Sequence, residues 1–418
     1  MAPGKKAGLT YRHYISPSMS ASRPRLYIIW LTIFIDLVGF GIVIPILPGY
    51  AQRFGVHGIG YGALIGAFSL MQFLATALLG RLSDRVGRRP ILLATMLLNA
   101  AGYVLFAYAP SYGLLLFARL VSGFAGGNIS AAQAYVADIT TAEDRSKGMG
   151  LIGMAFGLGF TLGPGIGALA SRVGGHAAPG VVAAGLSLLN FVSAYYILPE
   201  SLRVEHRVAR EIWPFGHMAA ALAHPELRPM MLVWFLAPFA FAGYTVALPL
   251  WAGVKLGWKD AELGVFFIIV GLVAATVQGG LFRLLTRRFG DRALLVAGLF
   301  GMSVSISVVP FLGSSRAVYA WTVVLAFSNS IMAPAATGLV STIAAANEQG
   351  TVLGVAQSLS ALGRFSGPEV IGGVYDRVTP TASFLVAGGV MLAGWVASIG
   401  VPKASGSGRS SGQAAASG

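Results

Sequence analysis

The stretch "GRLSDRVGRRP" (Gly80–Pro90) packs four arginines and one aspartate into eleven residues. It is flanked by "FSLMQFLATALL" (68–79) and "ILLATMLLNAAGYVLFAYA" (91–109), neither of which carries a charge. Apolar runs of about 20 residues match a bilayer core of about 30 Å, so the block reads as a tight loop between two membrane spans. Gly80 and Gly87 let the chain double back. Pro90 is tolerated at a helix start, where its missing N–H has no partner to lose.

Composition extends this reading to the whole chain. Hydrophobic residues make up 56% and charged residues 11%, against roughly 25% charged in a soluble domain. The 56 glycines among 418 residues suit helices that approach closely in lipid. An all-α integral membrane protein is expected. Spans are predicted near 26–48, 61–80, 90–109, 112–137, 149–170 and 179–198, then 229–254, 262–283, 293–312, 317–344, 351–374 and 382–401. That gives twelve transmembrane helices in two six-helix, pseudo-symmetric halves, with both termini on one side. The chain then divides into an N-terminal segment 1–25, a half 26–199, a linker 200–228, a second half 229–402 and a flexible, low-complexity tail 403–418. The apolar run from Leu26 to Leu47 exceeds the roughly 7–15 residues of a signal-peptide core, so it reads as a retained span. The absence of cysteine excludes disulfides, thiol catalysis and cysteine-based metal sites.

A net charge of +14 raises the question of nucleic acid, and the distribution of that charge answers it. With the N-terminus in the cytoplasm, 21 of the 29 Lys and Arg fall on inner segments, six fall on outer loops, and Arg119 and Arg364 fall inside spans. This is the positive-inside pattern. It predicts a multi-pass protein of the cell inner (plasma) membrane with both termini cytoplasmic, and no nucleic-acid partner.

The halves repeat. "RVGRRPILLA" from Arg85 is similar to "RFGDRALLVA" from Arg288, an offset of 203 residues. "GFTLGP" from Gly159 is similar to "GRFSGP" from Gly363 at an offset of 204, which Gly150 and Gly354, and Pro45 and Pro249, also keep. Two even-numbered halves repeating in one orientation are related by an axis along the membrane normal. Transporters of this design bind substrate between the halves near the midplane.

These motifs resemble those of the major facilitator superfamily. "GRLSDRVGRR" fits that family's signature between the second and third helices, G-x-L-x-D-R-x-G-R-R, at every position. "RLVSG" at Arg119–Gly123 fits most of its fourth-helix motif. "GLIGMAFGLGFTLGPGIGA" from Gly150 fits the fifth-helix signature of proton-driven antiporters through Gly150, Gly159, Gly163 and Pro164, with Ala168 replacing the final Gly. "DLVGFGIVIPILPGY" from Asp36, "LMQ" ending at Gln72 and "AYVADIT" from Ala134 are similar to the tetracycline/proton antiporters. The chain departs from them at three polar positions. Gly257 stands before Trp258 where they carry His, and Gly102 and Gly301 align where they carry acids in the third and ninth helices.

The resemblance gives the opening block a role. Asp84 is expected to face the N-terminus of the eleventh helix near Thr351, where the helix dipole favours an anion. Arg88 would bridge Asp84 to Asp138. With Gly80 and Gly87 this forms a cytoplasmic gate that must break for the inner side to open. Alternatively Arg81, Arg85 and Arg89 only anchor the loop to lipid phosphate.

Within the spans, Asp36 and Glu369 are the candidate acids. Asp36 lies eleven residues past Arg25, roughly 16 Å deep. Ionisable groups at that depth are expensive and usually functional. Asp36 with Arg119, and Glu369 with Arg364, are the candidate proton-coupling residues. A purely structural Asp36–Arg119 pair, and an outer-mouth carboxylate at Glu369, are the alternatives. Arg364 and Glu369 are five apart and do not face each other on an ideal helix. Gln72, Phe40 and Asn128 are candidate cavity residues. Asn128 reads equally as helix–helix glue, as do Gln133, Gln278, Asn329 and Gln357. The six histidines lie outside spans or at their ends, and no nucleophile–base or metal constellation is present. The sequence therefore predicts proton-coupled efflux of a small amphipathic compound or drug by a monomer in contact with membrane lipids, without cofactor or metal. The alternatives are a lipid or lysolipid exporter and a non-coupled, substrate-gated receptor on the same scaffold.

Overall fold

A computed structural model describes residues 19–44, 46–56, 58–140, 162–202, 225–343 and 349–401, together with 155, 158 and 159. Every regular element among them is helical. The first half contains α1 (Met19–Val43), α2 (Gly58–Val86), α3 (Arg88–Ala107), α4 (Tyr112–Gly126, resuming as Ile129–Ile139), α5 (162–174) and α6 (Ala178–Ile197). The second contains α7 (Arg228–Leu256), α8 (Asp260–Thr276, continuing to Phe289), α9 (Asp291–Val308), α10 (Ser315–Ile343), α11 (Gln349–Arg377) and α12 (Pro380–Ile399). A short helix, Leu47–Arg53, links α1 to α2.

Ten of the described helices are long and apolar enough to cross a membrane. α11 matches them in length but carries Arg364, Glu369 and Asp376. Much of the fifth predicted span, including Gly150, lies outside the described residues.

The packing repeats as the sequence does. In the first half α1 packs on α6, α3 on α6 and α4, and α2 on α4. In the second, α7 packs on α12, α9 on α12 and α10, and α8 on α10. Small residues explain how closely the backbones approach. A Cβ on Gly163 would lie 2.6 Å from the Val38 carbonyl oxygen and 2.7 Å from Gly41 Cα, so no larger residue fits between α5 and α1. Its repeat partner Gly367 meets the backbone of Phe239 in the same way, joining α11 to α7. The halves meet chiefly along α2 and α11, with a smaller contact between α2 and α7.

The second span, expected over 61–80, runs from Gly58 to Val86, so Gly80 lies inside α2 and the chain turns back at Gly87, φ 122°. Two more differ within their length. The fourth, expected to run unbroken over 112–137, turns at Gly127–Asn128, where a Cβ on Gly127 would meet the backbone of Ala75 and Thr76 on α2. α8 contains a π-helical turn, Val277–Leu281, built on "VQGGL". The tandem glycines there weaken the ordinary helical alternative.

Candidate functional site

The interruption of α4 positions a polar group. Asn128, buried at the break, donates from Nδ2 to Asp36 Oδ2 at 2.7 Å. Asn99 of α3, also buried, donates from Nδ2 to Asp36 Oδ1 at 3.0 Å. Both oxygens of the carboxylate are thus held by neutral amides from two other helices. Asp36 opens on a small cavity with room for roughly one water, lined also by Phe40, Phe68, Gln72, Tyr103 and Ser122.

Arg119 is 1% exposed and does not pair with Asp36. Its Nε donates to the Leu64 carbonyl oxygen at 3.0 Å, and its guanidinium lies 4.7 Å from the Phe68 ring centre and 5.4 Å from that of Phe40. Phe40 and Phe68 are themselves 4.5 Å apart. The alternative of a structural Asp36–Arg119 pair thus gives way to an amide cage around the acid and a cation–π contact at the arginine. Asn128 serves as a ligand of Asp36, and Phe40 lies between cavity and arginine.

Gln72 joins the two halves. It donates from Nε2 to the Gly126 carbonyl oxygen at 3.2 Å and accepts at Oε1 from Arg364 Nη2 at 3.3 Å. Arg364 also donates to Ser360 Oγ at 2.6 Å. No carboxylate pairs with Arg364 among the described residues. Glu369 does not meet Arg364. Its carboxylate faces Gly66 of α2, 3.3 Å from where a Cβ would stand.

The glycine departures have a packing cause. A Cβ on Gly102 would run into Ser122 of α4, and one on Gly301 into Ser328 of α10. An acid at either position would have to displace that serine hydroxyl and crowd the helix that carries it. Gly257 ends α7 at φ 69°, the left-handed region that favours glycine over His.

At the end of the bundle where α1 begins and α12 ends, Arg88 pairs with Asp84 one turn earlier and reaches Asp138 from Nε at 3.3 Å. It also donates to Ser83 Oγ at 2.6 Å and to the Gly80 carbonyl oxygen at 3.5 Å. Ser201 Oγ donates to Asp138 at 2.9 Å. Arg88 thus brings Gly80, Asp84 and Asp138 together as expected. Asp84 was expected to face the start of α11 near Thr351; α11 begins at Gln349, and the partner of Asp84 among the described residues is Arg88.

Sequence reasoning missed Glu200. Its carboxylate accepts from the backbone N–H groups of Arg88 at 2.9 Å and Arg89 at 3.2 Å, satisfying the start of α3 beside Gly87, whose φ is 122°. Arg89 turns back to the same corner, donating to the carbonyl oxygens of Leu198 and Tyr195, each at 2.7 Å. Asn99 was missed too, although as an amide in an apolar span it carried the same signal as Asn128.

Comparison with known proteins agrees with this architecture. The Major Facilitator Superfamily model matches residues 29–285 and 280–416. The chain is 29% identical to mouse Major facilitator superfamily domain-containing protein 10, over 92% of this chain and 94% of that one. It is 30% identical to the class C tetracycline resistance protein of Escherichia coli, over 86% and 92%, and 28% identical to Multidrug resistance protein 2 of Bacillus subtilis, over 88% and 93%. The crystal structure of the human organic anion transporter MFSD10 (TETRAN) superposes with a TM-score of 0.70 at 27% identity, covering 90% of this chain and 99% of that one. The chain is a multi-pass membrane transporter and belongs to the major facilitator superfamily.

Proposed function

We propose that this transporter exports a small amphipathic compound from the cell across the plasma (inner) membrane in exchange for protons, by alternating access, with both termini cytoplasmic. The observation that carries the reading is Asp36: a carboxyl within a span, held by the amides of Asn99 and Asn128 and bordering a cavity, with no cation paired to it among the described residues. A carboxylate in an apolar bundle is expensive as an anion. Gaining a proton removes the charge, and losing it restores an anion that both amides can hold. Asp36 is thereby suited to carry a proton, with Arg119 fixed nearby as a buried cation that shapes the cavity wall. The tetracycline and multidrug resistance relatives support efflux as the direction. The test is purified protein in weakly buffered detergent, screened against a compound panel for substrate-induced proton release. A true substrate should release protons from the wild type and none from Asp36→Asn.

A second reading concerns the substrate. Arg364 has neutral partners, Gln72 and Ser360, and lies where the halves meet. An anionic group on the compound would supply the missing counter-charge, in keeping with the organic anion transporter that superposes on this chain. Competition in the same screen by matched carboxylate and amide forms of one compound separates the two readings.

A further inference from the structure

A groove of about 680 Å³ lies outside the bundle interior, between α9 and α12, at the end carrying the termini. Its floor is made of small or slender residues on one face of α9, Ala293, Val296 and Ala297, and it closes at Phe300 and Trp395, whose rings are 5.5 Å apart. From Arg292 to Phe300 the groove runs roughly 12 Å along the helix axis. Phe289, at the end of α8, completes the lining, and all three helices are membrane spans, so this apolar channel faces the bilayer.

The mouth is basic. Arg292 lines it and donates from Nη2 to the carbonyl oxygen of Ile399 at the end of α12, at 2.7 Å. That bond fixes the guanidinium across the two helices. Its Nε is buried without a partner among the described residues. Arg287 and Arg288 stand exposed in the last turn of α8, across the Gly290 turn from Arg292. The nearby acid, Asp291, lies on the other side of α9, with its carboxylate beside Gly338 of α10. An apolar slot one acyl segment long, headed by a fixed arginine with spare donors, has the shape and charge of a phospholipid site. Basic pockets between spans on the positively charged side select anionic headgroups.

We infer that this groove binds an anionic phospholipid from the leaflet next to the termini, its phosphate at Arg292 and one acyl chain along Ala293–Phe300 against Trp395. The inference is independent of what the central cavity transports. A zwitterionic lipid offers the same phosphate but brings its own ammonium beside Arg287, Arg288 and Arg292, so the preference is for net negative charge.

Trp395 provides the probe. Its fluorescence is taken as wild type minus Trp395→Phe, in nanodiscs containing acyl-brominated phosphatidylglycerol or acyl-brominated phosphatidylcholine at equal mole fraction. The phosphatidylglycerol should quench at about fivefold lower mole fraction, the effect expected for one arginine near a membrane surface. Arg292→Gln should abolish the difference and Arg292→Lys should keep part of it. Should Arg292→Gln fail to fold, Ala297→Phe leaves the arginine and fills the slot, and should reduce quenching by both lipids. Equal quenching by the two lipids in the wild type would mean ordinary annular contact and overturn the proposal. So would the absence of quenching by either.

Discussion

The carboxylate of Asp376, near the end of α11, accepts a hydrogen bond from the backbone N–H of Ile59 in the first turn of α2, at 2.8 Å. The two residues are 317 positions apart and belong to opposite halves. Gly58, beside them at φ 35°, has no room for a side chain, because Asp376 occupies the space a Cβ would take. Further along the same seam Tyr61 donates to the Thr245 carbonyl oxygen at 3.5 Å. An anion from one half thus closes on a helix N-terminus of the other at the end of the bundle away from the termini.

Asp376→Asn should loosen that seam. The lost anion–helix interaction is worth about 0.3–1 kcal/mol at an exposed helix end. A cysteine probe at Thr245 in this cysteine-free chain should then react faster with impermeant reagent applied to the outer face. An unchanged labelling rate would show that α2 and α11 stay together without Asp376.

Asp36→Asn should abolish uphill transport in proteoliposomes under an imposed pH gradient, while substrate binding or downhill exchange persists. Asn99→Ala and Asn128→Ala each remove one donor to the carboxylate and should shift the pH dependence of transport without eliminating it. If Asp36→Asn still concentrates substrate, Asp36 is not the carrier, and Glu369 becomes the acid to test.

Asp84→Asn removes one of the two carboxylates paired with Arg88 and should raise accessibility from the side where α1 begins, with transport reduced and expression intact. Glu200→Ala acts on the same corner differently. It strips the backbone N–H groups of Arg88, Arg89, Ser201 and Leu202 of their acceptor, with an effect of about 1 kcal/mol for the start of α3, and should lower the melting temperature in detergent. Equal melting curves would mean that water replaces Glu200 at no cost.

Gly102→Asp, which installs the acid that the tetracycline antiporters carry in the third helix, should destabilise this chain. Overpacking of this kind costs about 1–3 kcal/mol, and Ser122 is the group in the way. Adding Ser122→Gly should recover part of the loss, read as thermal stability and membrane yield. Full stability of the single variant would show that α3 and α4 separate easily.

Orientation is open to direct measurement. Ser201→Cys should be shielded from impermeant reagent on intact cells and Ser314→Cys should react. The reverse pattern would invert the topology drawn from the charges.

Helix count and ends were legible because long apolar runs punctuated by Gly, Pro and Arg leave little choice in a bilayer. The span expected over 229–254 is the helix Arg228–Leu256, and that over 382–401 is Pro380–Ile399. The Arg88–Asp84–Asp138 cluster was legible through its motif. The rest depended on where helices cross. Nothing local in "GGN" at 126–128 says that α4 must yield to the backbone of α2, so neither the break nor the Asn128–Asp36 bond could be read from the string. Glu200 and Asp376 act on residues 112 and 317 positions away, and no periodicity reports such distances. Arg119 was expected to seek an acid, but in the folded bundle two aromatic rings reach it.

The groups that hold Asp36 both come from its own half, α3 and α4, whereas the Arg364–Gln72 and Asp376–Ile59 bonds run from one half to the other. Rocking the halves apart would break the second set and leave the first unstretched. Cargo and latch are then mechanically independent. In the alternating-access cycle proposed above, the amide cage would travel with its own half, and what changes would be which bath reaches it. Mutations at the seam should accordingly alter how often the site is exposed to each side, while mutations in the cage alter what it holds when exposed.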